Sequence, residues 1–309
     1  VSARVRVFAP ASVGNVGPGF DVLGMAVTGP GDTVEAAWTD APGVRIEKIT
    51  GDGGALPLEA DENTAGIAAR AVLEMAEERR GVALTIHKGI PGTGLGSSAA
   101  SAVAGACAVN ALLDGRYPKH ALLPACVAGE RHVSGGVFLD NLAASLFGGV
   151  VVCHTAQLAA WPVGTLPDLH VVVVTPEVKV LTRSSRAALG TEVPMAGFVH
   201  NMAAVAAMVA AVARGDAAAF GRAIDDRVVE PQRAGLIPGF AAVKAAALEA
   251  GALGCSISGA GASVFAVTDR ADAAGPVGAA MERAFSGAGA AAAVTLCRMD
   301  PDGARELAP

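Results

Sequence analysis

From Arg4 to Phe8 polar and apolar side chains alternate, and the two-residue period predicts a strand. Proline and glycine then crowd the stretch from Pro10 to Gly24, which contains GNVGPGFD and reads as a shaped loop. A second strand is expected near Val34 to Trp38. Asn63 to Arg80 carries apolar residues at helical spacing and ends in EERR before Gly81, the pattern of an amphipathic helix. Val82 to His87 alternates again as a strand, Lys88 to Ser98 is a glycine-rich turn, and Ala99 to Leu113 is an apolar helix closed by Asp114-Gly115.

In the second half, PDLHVVVVTP supplies a β-branched strand bounded by prolines, so a new sheet is expected there. We place a domain boundary at this point, dividing the chain into residues 1–165 and 166–309. Helices are predicted at about Ala196 to Arg214, Ala217 to Arg227 and Ala241 to Ala250, ahead of GCSISGAGASVFAV, a glycine-rich turn that leads into a strand. One more helix and strand carry the pattern to Cys297. The alanine and glycine excess here has no fixed period and is not a repeat.

Composition narrows the function classes. A chain of 309 residues, 52% of them hydrophobic, can bury a large core, and the pattern gives mixed helix and sheet. The formal charge of -6 comes without any basic stripe, which argues against nucleic acid as a partner. Apolar runs such as Met202 to Ala213 are shorter than the ~20 residues of a membrane-spanning helix, and VSARVRVFAP lacks the apolar centre of a signal peptide. No membrane association is expected. Cysteines at 107, 126, 153, 255 and 297 are odd in number, scattered and without a C-x-x-C pair, so reduced thiols in the cytoplasm are expected.

The strongest chemical signal is PGTGLGSSAAS. Glycines at 92, 94 and 96 let the backbone approach a ligand, and the following helix turns free N–H groups and its positive dipole end toward it. Ser97 and Ser98 add hydroxyls for phosphate or Mg²⁺. The bland alternative is an ordinary strand-to-helix turn with a serine cap. No Lys-Ser or Lys-Thr follows the glycines, as a P-loop requires. Ser97 stands where the dinucleotide fingerprint needs its third glycine. The loop belongs to another phosphate-binding type.

P-x-x-G-L-G-S-S-A-A, from Pro91 to Ala100, resembles the nucleotide motif of the GHMP kinases, named for galactose, homoserine, mevalonate and phosphomevalonate. Two further segments match in order: P-A-S-x-x-N-x-G-P-G-F-D from Pro10 to Asp21, and I-S-G-A-G-A-S from Ile257 to Ser263. Within the family, FAPASVGNVGPGFDVLGMAV, DNLAASLFGGV and EPQRAGLIPGF most resemble the homoserine kinases. The resemblance implies an α+β fold with a ribosomal-protein-S5-like N-terminal domain, a ferredoxin-like C-terminal domain and the active site between them. It implies ATP and Mg²⁺ as cofactors, homoserine as the acceptor and phosphohomoserine for threonine synthesis as the product, and it allows a homodimer. A GHMP kinase for another small alcohol, or a nucleotide-binding sensor that has lost turnover, would share these motifs.

Carried over residue by residue, the resemblance implies that Pro91, Gly92, Thr93, Gly94, Leu95, Gly96, Ser97, Ser98, Ala99 and Ala100 hold the nucleotide phosphates. Ser98 and Glu130 would hold Mg²⁺. Asn63 matches a position near the adenine, although it is equally placed to cap the helix at TAGIAAR. Asn15 and Asp21 would meet the ammonium and hydroxyl end of the acceptor, and Arg186 and Arg233 its carboxylate. Thr182 would sit near the transferred phosphate, Asp140 would have an acid-base or orienting role, and Asn141 would bond the substrate. Taken singly, most of these are surface charges or turn formers; their joint match raises them above that. Two positions depart from the family. Phe138 stands where homoserine kinases usually carry histidine, and a phenyl ring can replace its volume but not a hydrogen bond. Ala262 stands where proline is usual.

Overall fold

The computed structural model describes residues 4–90, 94–134 and 136–308. It opens with two long antiparallel strands, β1 (Arg4–Gly14) and β2 (Leu23–Thr39), followed by β3 (Val44–Thr50), α1 (Thr64–Met75), β4 (Gly81–His87) and α2 (Ser97–Leu112). Next come α3 (Lys119–Ser134), α4 (Leu139–Phe147), β5 (Val150–His154) and β6 (Ala159–Gly164). The remainder contains β7 (His170–Pro176), α5 (Thr182–Ala187), α6 (Met195–Arg214), α7 (Ala217–Arg222), α8 (Glu230–Arg233) and α9 (Phe240–Glu249). It closes with β8 (Gly254–Ile257), β9 (Val264–Thr268), α10 (Ala271–Gly287), β10 (Ala292–Arg298) and β11 (Arg305–Glu306).

The first sheet runs β11-β1-β2-β4-β3, with β5 and β6 added beside the start of β2. The β3–β4 pair is parallel and its other pairs are antiparallel. Half of the expected loop from Pro10 to Gly24 is strand: β1 continues to Gly14 because its register on β2 shifts between Pro10 and Ser12. A proline lacking its N–H is accommodated at such an irregularity. The predicted helix to Arg80 ends at Met75, since Glu77 takes a positive φ of 53° and the chain turns back.

The second sheet, β10-β7-β9-β8, is antiparallel throughout. Its valine run does not alternate with polar residues because both faces are covered. Val171 and Val173 join the core under the first sheet, whereas Val172 and Val174 join a second core with Val243, Met281 and Phe285 of α9 and α10. Each fully buried valine contributes about 1.5 to 3 kcal/mol relative to exposure. The first core therefore continues from one sheet to the other, and β11 returns from the chain's end to β1. Their apposed loops bring distant motifs together.

Candidate active site

α2 starts immediately after the glycine turn, with Gly96 at its N-cap in the left-handed region and no side-chain cap on its first turn. Gly94 has φ 92° and Gly96 φ 67°. A Cβ at Gly94 would meet the Ser258 carbonyl oxygen at 2.6 Å, and one at Gly96 the Ser12 hydroxyl at 2.5 Å. Both positions are closed to larger residues by neighbours as well as by φ. Ser258 Oγ donates to the Gly94 carbonyl at 2.6 Å, and Ser12 N donates to the Leu95 carbonyl at 3.1 Å. The phosphate-type turn is thus held between the first and the late glycine motifs. Leu95 and Ala100 are buried in the core beneath it. Pro91, Gly92 and Thr93 lie outside the described residues.

A cavity of about 250 Å³ opens here, lined by Gly94, Gly96, Ser97, Ser98, Ala99 and Glu130 on one side. Asn15, Asp21, Phe138, Asp140 and Asn141 line it as well, with Thr182, Arg186 and Arg233 from the second half. It is a little smaller than the roughly 300 to 1,000 Å³ of ligand cavities that enclose a drug-sized molecule. Asn63 is not among its lining. It caps α1, accepting from Ala65 N at 3.0 Å and donating to the Pro57 carbonyl at 3.1 Å, which is the alternative the sequence left open.

Ser98 Oγ donates to Glu130 Oε1 at 2.9 Å, with Glu130 buried on α3. The pair offers a hydroxyl and a carboxylate, both hard oxygen donors. Among the described residues no group of three or more His, Cys, Asp or Glu side chains forms a metal cage. A two-oxygen protein contribution fits Mg²⁺, which commonly takes one or two protein ligands and completes its shell with phosphate oxygens and water.

Asp140, on the first turn of α4, is buried; its Oδ2 accepts from Asn15 N at 2.9 Å and its Oδ1 has no hydrogen bond among the described residues. Burial, and then the nearby Asp21, push its carboxyl up to about 6, against the opposing pull of the Asn15 N–H. The group is mostly carboxylate at neutral pH yet close enough to protonation to exchange a proton. Asn141 Oδ1 accepts from Ser12 Oγ at 3.1 Å.

On the opposite side Arg186 makes a two-pronged contact with Asp21, at 2.9 to 3.0 Å. Arg233 is buried and differently held: Nε donates to the Ser185 carbonyl and Nη1 to the Gly259 carbonyl, both at 3.1 Å. Burial, and then Arg186 beside it, draw its guanidinium below the ordinary value. Phe20 lies 5.2 Å from the Arg186 guanidinium carbon and 5.0 Å from that of Arg233. Phe138 meets Arg186 at 5.4 Å, so its ring faces a cation.

Asn15 lines the cavity, and its side chain is engaged within the protein: Nδ2 donates to the Gly259 carbonyl and Oδ1 accepts from Asp21 N, at 2.9 and 3.0 Å. It braces the first motif against the late one and sets the Asp21 backbone. Sequence reading also passed over Phe20, although it lies inside a quoted motif, and Lys88. The Lys88 ammonium pairs with the fully buried Asp32 and donates to the Ser97 carbonyl at 3.0 Å and Ser101 Oγ at 2.7 Å, tying the first turn of α2 to the sheet. A lone lysine at the end of a strand carries no sequence signal for this; only the helix turn above it does.

The family described as GHMP kinases N terminal domain matches residues 63–149, and that described as GHMP kinases C terminal matches residues 208–287. The chain belongs to the GHMP kinase family. GHMP kinases are ATP-dependent kinases, and the two-sheet α+β architecture described above is theirs. This GHMP kinase is 42% identical over 294 residues to a homoserine kinase of Chloroherpeton thalassium, covering 91% of the chain and 92% of the relative. It is 44% identical over 319 residues to a homoserine kinase of Arabidopsis thaliana, covering 99% and 85%. The crystal structure of a homoserine kinase from Cytophaga hutchinsonii superposes with a TM-score of 0.94 at 40% identity, over 98% of this chain and 97% of that one. An L. major mevalonate kinase shares the fold at 14% identity and a TM-score of 0.72.

Proposed function

We propose that this GHMP kinase transfers the γ-phosphoryl group of ATP to the hydroxyl of L-homoserine in the cytoplasm, giving O-phospho-L-homoserine for threonine synthesis. The observation that carries the reading is the Arg186–Asp21 pair beside Arg233, at the wall of the cavity that also contains Ser98 and Glu130. A zwitterionic amino acid can replace that pair without leaving a charge unmatched: its carboxylate takes the guanidinium groups and its ammonium takes Asp21. An uncharged sugar or an anionic alcohol cannot do both. The relatives named homoserine kinase point the same way.

In this reading the N–H groups at the start of α2 and the Ser97 hydroxyl bind the nucleotide phosphates, positioned by Gly94 and Gly96. Ser98 and Glu130 hold Mg²⁺, which when bound offsets the charge on the phosphate oxygens. Thr182, at the start of α5, faces the transferred phosphoryl group. Asp140 orients the acceptor hydroxyl and takes its proton on Oδ1 as the oxygen–phosphorus bond forms, and Asn141 bonds the acceptor. An acceptor panel of homoserine, other amino-acid alcohols, mevalonate and sugars, followed by ADP release, tests this. Homoserine is expected to have the highest kcat/KM.

Phe138 fits the same account as a ring that fills volume and stacks on Arg186. An imidazole keeps a π-face of similar width and can stack on Arg186 as the phenyl ring does. Phe138→His is therefore expected to change homoserine kcat/KM by less than about tenfold, or ~1.4 kcal/mol. A much larger gain would indicate that the natural acceptor is a different alcohol.

A further inference from the structure

Arg233 lines the cavity from the last position of α8, a helix only four residues long. Helices shorter than about 12 residues are marginal on their own, and Pro231 takes one N–H out of this turn. The position of Arg233 therefore depends on side chains outside α8.

Asp226 carries most of that burden. It is 5% exposed and lies in the irregular stretch between α7 and α8. Its Oδ1 accepts from Val228 N at 2.8 Å and Val229 N at 3.0 Å, and its Oδ2 from Glu230 N at 2.8 Å. Asn201 of α6 donates to Oδ1 through Nδ2 at 2.8 Å and accepts from Arg227 N at 3.0 Å. The Val229 carbonyl takes the N–H groups of Gln232 and Arg233 at 3.1 and 3.2 Å. Every backbone N–H from Arg227 to Arg233 is thus engaged, and three of them end on one carboxylate. On the other side of the turn, Glu230 pairs with Lys244 of α9 and accepts from Ser256 Oγ of β8 at 2.6 Å. One acid sets where the turn begins, and the other fastens it to the second sheet.

We infer that Asp226 is a positioning residue for the acceptor site, fixing the turn that carries Arg233 and so the place where that guanidinium meets the acceptor's carboxylate. This rests on the reading of Arg233 as a carboxylate partner. Asp226 is not among the residues lining the cavity, so it acts through Arg233 and not on the acceptor. Arg233 follows Glu230 by three residues, about 4.5 Å along a helix axis, and a shift at the start of the turn passes directly to it. Its Nε and Nη1 are committed to the Ser185 and Gly259 carbonyls, while Nη2 makes no hydrogen bond among the described residues. The edge left for a ligand is small, and its placement is set by the backbone. Charge acts in the same direction: burial and then Arg186 draw the Arg233 guanidinium down, and Asp226 is one of the acids that oppose them.

Steady-state kinetics of Asp226→Asn tests the inference against a role in stability alone. The amide keeps the size of the carboxylate but turns an NH₂ toward backbone N–H groups, so the turn has to shift. The homoserine KM is expected to rise about 10- to 100-fold, the scale on which misplacing a binding group acts, with kcat and the ATP KM within about threefold of wild type. For 3-aminopropan-1-ol, which is homoserine without its carboxylate, kcat/KM should change by less than about threefold, because nothing on it reaches Arg233. Arg233→Ala should divide the two acceptors in the same way. Asp216→Asn is the control: Asp216 takes the Ala219 N–H at 2.8 Å at the start of α7 and does not line the cavity, so Tm should fall and the homoserine KM should stay as it is. If Asp226→Asn does not fold, Asn201→Ala, which removes one donor from the same carboxylate, is expected to give the same division of acceptors at about threefold or more. An unchanged homoserine KM in the folded variant, or equal losses with both acceptors, would overturn the inference. Equal losses with both acceptors in Arg233→Ala would overturn the carboxylate reading itself, and the role of Asp226 with it.

Discussion

Glu130→Gln is expected to lower kcat by about 100- to 1,000-fold, the scale on which losing a charge-stabilising contact at a phosphoryl-transfer centre costs several kcal/mol. Glu130 is buried and its Oε1 accepts the Ser98 hydroxyl at 2.9 Å. Glutamine has nearly the same shape and keeps an oxygen for that hydrogen bond, so folding should survive and only the negative charge is removed. Loss of that charge weakens a two-ligand protein site far more than it would a closed cage, because little else from the chain compensates. The defect should be greatest at limiting Mg²⁺ and partly recovered at high Mg²⁺. Calorimetric titration of ADP with and without Mg²⁺ gives an independent readout: the wild type should bind more tightly with the metal and the variant should show little difference. Near wild-type turnover at limiting Mg²⁺ would remove Glu130 from the metal site.

The second large effect divides the two arginines, which the sequence treated alike. Arg233→Ala is expected to raise the homoserine KM by roughly 30-fold to several-thousand-fold, since truncating one side of a buried charged contact costs about 2 to 5 kcal/mol. The ATP KM should change little. Arg233 also holds the Ser185 and Gly259 carbonyls, and each buried carbonyl left unpaired costs about 1 to 3 kcal/mol, so Tm should fall as well. Arg186→Ala is expected to raise the homoserine KM without lowering Tm, because its contact with Asp21 is partly exposed and contributes little to stability. Equal changes in the KM of both substrates, in either variant, would reject a carboxylate clamp.

The parts of the site visible in the sequence are those fixed by backbone chemistry. Gly94 and Gly96 are readable because a close backbone approach ahead of a helix needs glycine, and the structure puts Ser258 and Ser12 where any side chain would collide. Phe138 was readable as a departure, but its contact with Arg186 was not, since the two residues meet only across the cavity. Asn15 shows the opposite limit. Its residue type suits substrate binding and bracing equally, and only the placement of Gly259, 244 residues away, shows the brace.

The fold follows the same division. The valine run of β7 announces a strand, whereas β1 through Pro10 and Gly14 was hidden because a bulge and a partner strand, not local propensity, keep it extended. Helix α6 was expected at about Ala196 to Arg214 and starts one residue earlier, but the sequence did not show that the polar residues at 200 and 201 are turned inward. Burial direction is a property of the packed chain.

The most direct test of the account is ³¹P nuclear magnetic resonance of the product formed from homoserine and ATP by the unmodified protein, with the other alcohols of the panel run alongside. The account predicts one new phosphomonoester resonance, coupled to the side-chain methylene of homoserine, appearing in step with ADP and faster than with any other acceptor. ADP without that resonance, or a faster phosphomonoester from an alcohol lacking the ammonium and carboxylate, would contradict it.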